Sequence, residues 1–178
     1  MIRGAFMKSD LLPIVLIIVI LAIVGGGIFY FYAWTSDFDQ GDVFFQIPGG
    51  WSQNQAVGDF NNTVFSQVVY TQQIKNESGA DQEAFIIVQM QKIGGTGFNA
   101  TSLQVSILNS SNSSVSNLKV NDYNVMQYTR NGPTVANKIA TIDNGNFMYI
   151  VEYVCPPSVS NQTEEAYLNI LKTLKISK

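Results

Sequence analysis

The sequence predicts an α+β protein with about six strands, a covering C-terminal helix and one N-terminal transmembrane helix. Three observations predict it. Residues 11–36 contain no charged side chain. Several short segments between residues 42 and 154 alternate apolar and polar side chains, the period of a half-buried strand. Residues 161–175 change to a 3.6-residue apolar repeat, which marks an amphipathic helix.

The N-terminal element comes first. Residues 11–34 are 24 uncharged positions, enough at 1.5 Å per residue to cross a hydrocarbon layer of about 30 Å with some tilt. Ser9 and Asp10 can cap this helix, and Pro13 sits in its first turn, where the missing N–H costs little. Tyr30, Tyr32 and Trp34 cluster at the far end, at headgroup level. A cleaved signal peptide fits less well, because the run exceeds a 7–15-residue apolar region and is followed by bulky aromatics. Gly25, Gly26 and Gly27 interrupt the helix without the spacing of a small-xxx-small dimer face.

Charge gives the direction. Arg3 and Lys8 precede the run, and Asp37, Asp39 and Asp42 follow it. Basic residues on the short side place residues 1–10 in the cytoplasm and the rest outside, in a single-pass cell-membrane arrangement. Membrane lipid is then the partner of residues 11–34. Six N-x-[ST] acceptors accompany this orientation, at Asn61, Asn76, Asn99, Asn109, Asn112 and Asn161. Chance alone, given the Asn and Ser/Thr content, yields about three, and such sites need an exposed loop outside the cell.

The outward part begins with a polar stalk over residues 35–41, and the domain proper covers 42–178. A strand over 42–47 puts Val43, Phe45 and Ile47 on one face, before Pro48-Gly49-Gly50 turns the chain into Trp51. Residues 52–63 read as a polar loop, 64–74 as a longer strand, and 84–92 as a third with Ala84, Ile86, Val88 and Met90 inward. Gly94, Gly95 and Gly97 match neither the phosphate-loop nor the dinucleotide pattern and read as a loop. A short helix over 101–108 and a low-complexity loop over 109–114 follow. Three strands then run over 123–130, 135–142 and 146–154. The Asn144-Gly145 pair between the last two predicts a type I′ hairpin. Residues 147–154 are almost wholly apolar, so that strand should be central and covered on both faces. In the terminal helix Ala166, Tyr167, Ile170, Leu171 and Leu174 form the buried stripe. Asn161 and Glu164 have capping-box spacing, with Glu164 and Glu165 facing the helix dipole. A capping Asn161 makes it the least suitable of the six glycosylation acceptors.

The order of a strand ending in Phe45-Gln-Ile-Pro-Gly-Gly-Trp51, two strands, a short helix, a three-strand meander with an Asn-Gly turn, and a helix running into Asn169–Ile176 resembles the PsbP-like domain. It is similar in particular to the membrane-anchored PsbP-related proteins of methanogenic archaea, over about residues 40–178. The resemblance implies an antiparallel β-sheet flanked by helices. Plant members are extrinsic subunits of photosystem II that assist retention of inorganic cofactors. Their histidine-based contacts have no counterpart in this chain, so that role does not transfer.

Composition narrows the chemistry. The chain of 178 residues has no histidine, 13% charged residues and a net charge of −3. Imidazole bases, His-ligated metals and the familiar His-containing triads are therefore excluded. The negative balance argues against nucleic acid. Residues 35–178 carry 16 Asn, 13 Gln and 24 Ser or Thr, so uncharged polar groups replace charge on the outer surface. Cys155, the one cysteine, can form no intrachain disulfide and reads as a buried thiol. The acidic groups Asp37/Asp39/Asp42 and Asp81/Glu83 lack the pattern of a calcium loop. No catalytic, cofactor-binding or metal-binding residue is expected. The leading expectation is a non-enzymatic, membrane-anchored surface domain that binds or supports an envelope component or self-associates. One alternative is a pilin-like filament subunit, for which Pro13 and the three glycines are poor spine material and an early helix glutamate is missing. Another is a ligand-binding or enzymatic domain with a cleft beside the sheet.

Overall fold

A computed structural model describes residues 35–93 and 113–177. The apolar run 11–34, the glycine loop at 94–97 and the helix expected over 101–108 lie outside those residues. The described residues from Ser36 onward form one compact unit. Among the described residues no helix is long and apolar enough to cross a membrane.

Ten strands and one α-helix build the unit among the described residues. The strands are β1 (Ser36–Gln40), β2 (Val43–Ile47), β3 (Ser52–Val57), β4 (Phe65–Lys75) and β5 (Asp81–Lys92). After residue 112 come β6 (Ser113–Val120), β7 (Tyr123–Asn131), β8 (Ala136–Asp143), β9 (Phe147–Cys155) and β10 (Lys175–Ile176). Helix α1 spans Ser160–Thr173. Seven strands form one antiparallel sheet in the order β3-β4-β5-β9-β8-β7-β6, and β1-β2-β10 form a second.

The alternating segments fold as their periods require. Val43, Phe45 and Ile47 are buried, as are Ala84, Ile86, Val88 and Met90. Helix α1 buries Ala166, Tyr167, Ile170 and Leu171, and Leu174 is buried just beyond its end. The small sheet and α1 cover the same face of the large sheet. Phe45 meets Tyr70 edge-on at 6.0 Å and Phe38 stacks on Phe45 at 4.7 Å, while Tyr153 lies 5.8 Å from Tyr167. Aromatic pairs at such distances add to the area they bury. Strand β9 sits fourth of seven and buries residues on both faces. Tyr149 and Val151 enter the main core, and Met148 and Ile150 join Tyr128 and Ile139 in a smaller cluster on the opposite face.

Several sequence expectations require correction. Residues 36–40 are not a stalk but strand β1, with Phe38 turned inward and Asp37 and Asp39 outward. The loop expected over 52–63 contains β3, an edge strand exposed at every position. Strands β6 and β10 are also additional, which raises the expected six to ten. The turn at Asn144-Gly145 is not type I′, because only Gly145 has positive φ (+89°). Instead Asn144 Oδ1 accepts from the backbone N–H of Asn146 and Phe147 and closes a longer turn. Asn161 is not a cap either. Helix α1 follows a 3₁₀ turn over Pro157–Val159, its N-cap is Val159, and no side chain caps it. Glu164 and Glu165 lie beyond its first turn, which holds no acidic residue.

Candidate functional site

Each end of α1 opens onto a groove. The helix has 14 residues, so the two grooves are separated along it by about 21 Å at 1.5 Å per residue.

The groove at the C-terminal end has a volume of about 500 Å³ and lies between β2, the β6–β7 turn and β10. Asn121 makes this turn with a left-handed backbone (φ +54°), a conformation asparagine tolerates better than most residues. Its Nδ2 donates to the Lys172 and Leu174 carbonyls at 3.2 and 3.0 Å, groups freed at the end of the helix. Two residues on, the Tyr123 hydroxyl accepts from the Ile176 N–H at 2.9 Å and donates to the Ile176 carbonyl at 3.1 Å. This turn therefore holds down the C-terminal strand. Lys175 lies over the Phe44 ring at 5.1 Å, and Asp122 and Lys172 complete the rim.

The second groove, of about 330 Å³, lies where α1 begins. Lys138 from β8 forms an ion pair with Glu164, and both side chains are partly buried. Beside them the Tyr153 hydroxyl shares a hydrogen bond with Thr163 Oγ1 at 2.6 Å and reaches the Ser160 carbonyl at 3.2 Å. Burial raises the Tyr153 hydroxyl and pushes the Cys155 thiol up from its ordinary value. A thiol raised in this way stays protonated and is a poor nucleophile. The Lys138–Glu164 pair and the Tyr153 hydrogen bonds hold α1 against β8 and β9. Trp51 packs, partly buried, against the main core.

The six acceptors do not gather into one site. Asn61 is exposed in the loop after β3, where Thr63 Oγ1 bonds to Ser66 Oγ at 2.7 Å. Asn76 sits in the β4–β5 turn, and its Oδ1 accepts from Ser78 N, Ser78 Oγ and Ala80 N. Asn161 is exposed on the first turn of α1, but Thr163 is buried and bonded to the Val159 carbonyl at 3.0 Å. The reason to disfavour Asn161 thus changes from its own amide to the hydroxyl two places on. Asn99, Asn109 and Asn112 lie outside the described residues. Among those described, no three Cys, Asp or Glu side chains gather as a metal site.

The fold is similar to the solution structure of cyanobacterial PsbP from Synechocystis sp. PCC 6803. The superposition has a TM-score of 0.45 at 11% sequence identity, over 81% of this chain and 93% of that one. No family profile and no curated protein matches the chain.

The sequence offers a cleft beside the sheet only as an alternative and names no residue that lines either groove. The dipeptide Asn121-Asp122 between two β-type segments is the available turn signal, but nothing local ties Asn121 to Leu174, 53 residues away.

Proposed function

We propose that this is a single-pass membrane protein whose outward domain, without catalysis, binds or supports another component of the cell envelope. One observation carries the reading. Among the described residues pairing begins at Ser36, so in sequence a single residue, Thr35, separates the first strand from the apolar run 11–34. A 24-residue apolar segment directly followed by a domain with its own core is the arrangement of an anchored surface module. The cytoplasmic N-terminus follows from Arg3 and Lys8, and the resemblance to anchored PsbP-related proteins of methanogenic archaea belongs to the same reading.

The polar contacts of the two grooves hold the helix and the C-terminal strand in place, which gives the outward domain a fixed surface. Expression of residues 35–178 and of the full chain tests the proposal. The shorter chain should be soluble and unfold cooperatively, and the full chain should stay in the membrane fraction after alkaline carbonate washing. A full chain released by carbonate would remove the anchor from the account.

A further inference from the structure

The two faces of the large sheet are covered differently. On one face lie α1 and the small sheet, and Gln127 Nε2 donates to the Tyr167 hydroxyl at 3.2 Å, so α1 reaches as far as β7. The opposite face holds the cluster of Tyr128, Ile139, Met148 and Ile150, which are 1%, 9%, 5% and 5% exposed within a single chain. A sheet face without a cover leaves such side chains in water. Every described residue of this cluster belongs to the sheet itself, on β7, β8 or β9, except Ile93, which directly follows β5.

The buried band has a direction. Paired residues of antiparallel strands share a face, so the register fixes the rows. Met148 lies beside Gln91 near the end of β5, Ile150 is two places further along β9, and Tyr128 lies beside Ile139. Ser113, where β6 begins, lies beside Arg130, two places beyond Tyr128. The band therefore runs diagonally from the end of β5 to the start of β6. On either side of it the same face is open. Phe65, beside Gln91 on β4, is 38% exposed, and Val115, beside Tyr128 on β6, is 42% exposed.

Connectivity follows the same line. Four antiparallel pairings separate β5 from β6, so these two strands run parallel and the chain must return along the sheet between them. Such a crossover passes over one face of a sheet, and α1 occupies the other. Four strand spacings across, and the rise from the level of Lys92 back to that of Phe85, make a path of about 30 Å. Residues 94–112 can span about 65 Å when extended, which leaves length for the short helix expected over 101–108. They carry no charged side chain and include Leu103, Ile107 and Leu108.

We propose that the band of Met148, Ile150, Ile139 and Tyr128 is the docking site of the chain's own residues 94–112, which cover it through Leu103, Ile107 and Leu108. This face is then closed to an envelope partner. The inference goes beyond the anchored-domain reading and does not need it, because it concerns one chain folded on itself.

The test uses the purified full chain in detergent with labelled methyl groups. Nuclear Overhauser contacts should join the Met148 and Ile150 methyls to those of Leu103, Ile107 or Leu108. A second measurement is the rate of maleimide labelling, with the buried Cys155 as a silent background. Ile150→Cys should react about twenty-fold more slowly than Val115→Cys, which lies on the same face outside the band. Leu103→Asp with Ile107→Asp should raise the Ile150→Cys rate about ten-fold and leave the Val115→Cys rate unchanged. Methyl contacts of Met148 and Ile150 confined to residues 35–93 and 113–177 would overturn the proposal, whether or not the double variant folds. Unchanged protection in a folded double variant would do the same. So would an Ile150→Cys protected in native membranes but as reactive as Val115→Cys once purified, since a foreign component would then be the cover.

Discussion

Replacing Tyr123 by Phe removes one oxygen and tests how the C-terminal strand is held. The ring, which packs partly buried against the main core, is kept. What is lost is both hydrogen bonds to Ile176, at 2.9 and 3.1 Å. A backbone group left without a partner costs about 1–3 kcal/mol where water cannot reach it. Ile176 is 8% exposed, so the two orphaned groups are only partly relieved by solvent. The loss is also bounded, because β10 can detach instead, which forfeits about 2 kcal/mol of Ile176 side-chain burial. Tyr123→Phe should therefore destabilise residues 35–178 by about 2 kcal/mol in urea denaturation. Amide exchange at Ile176 and at Ser177, which donates to the Asp42 carbonyl at 2.8 Å, should quicken before global unfolding. A loss below about 0.5 kcal/mol with unchanged exchange at Ile176 would refute the idea that this hydroxyl secures the strand.

Three further outcomes follow from particular contacts. At Gly41 and Gly58 an added Cβ would lie 2.3 Å from the Phe60 carbonyl oxygen and 2.4 Å from Ser66 Oγ, with φ at +58° and +77°. Ala there should cost about 3 kcal/mol or more, against about 1 kcal/mol at the open Gly79 and Gly145, as read by thermal unfolding. Glu164→Gln removes the charge facing Lys138 across the partly buried ion pair and should cost about 0.5–1 kcal/mol, with the deficit shrinking in 1 M salt. Burial pushes the Tyr70 hydroxyl up to about 12, and burial together with the Asp42 carboxylate does the same for Tyr149. Because the folded values exceed the unfolded value near 10, this stability is complete below pH 10 and is lost as pH rises towards 12. Unfolding free energy measured at pH 9 and 11 should fall, and Tyr70→Phe should reduce the slope.

What could be read from the sequence follows from which faces are buried. β5 shows Ala84, Ile86, Val88 and Met90 at strict period 2 because one face meets the core. β9 loses that period because both faces are covered, and its apolar run revealed its central place. α1 shows its stripe because it covers a sheet. The strands that escaped notice have the opposite character. β3 and β6 are edges wetted on both faces, so Ser52–Val57 and Ser113–Val120 carry no apolar period to detect. β1 buries only Phe38, and its two aspartates gave it the look of a stalk. The cap was misplaced because Pro156 and Pro157 start a 3₁₀ turn that feeds the helix before Asn161 is reached. The grooves depend on contacts across long sequence separations, such as Asn169 to the Gln46 carbonyl and Asn121 to Leu174. No local pattern announces those.

The central claim, an anchored domain facing outward, is tested most directly by labelling Asn61→Cys in intact cells with a membrane-impermeant maleimide. Position 61 is exposed in a surface loop, and the buried Cys155 leaves the wild-type chain as an unreactive control. The account predicts full labelling of Asn61→Cys without permeabilisation and none of the wild type. Labelling only after the membrane is opened would contradict it.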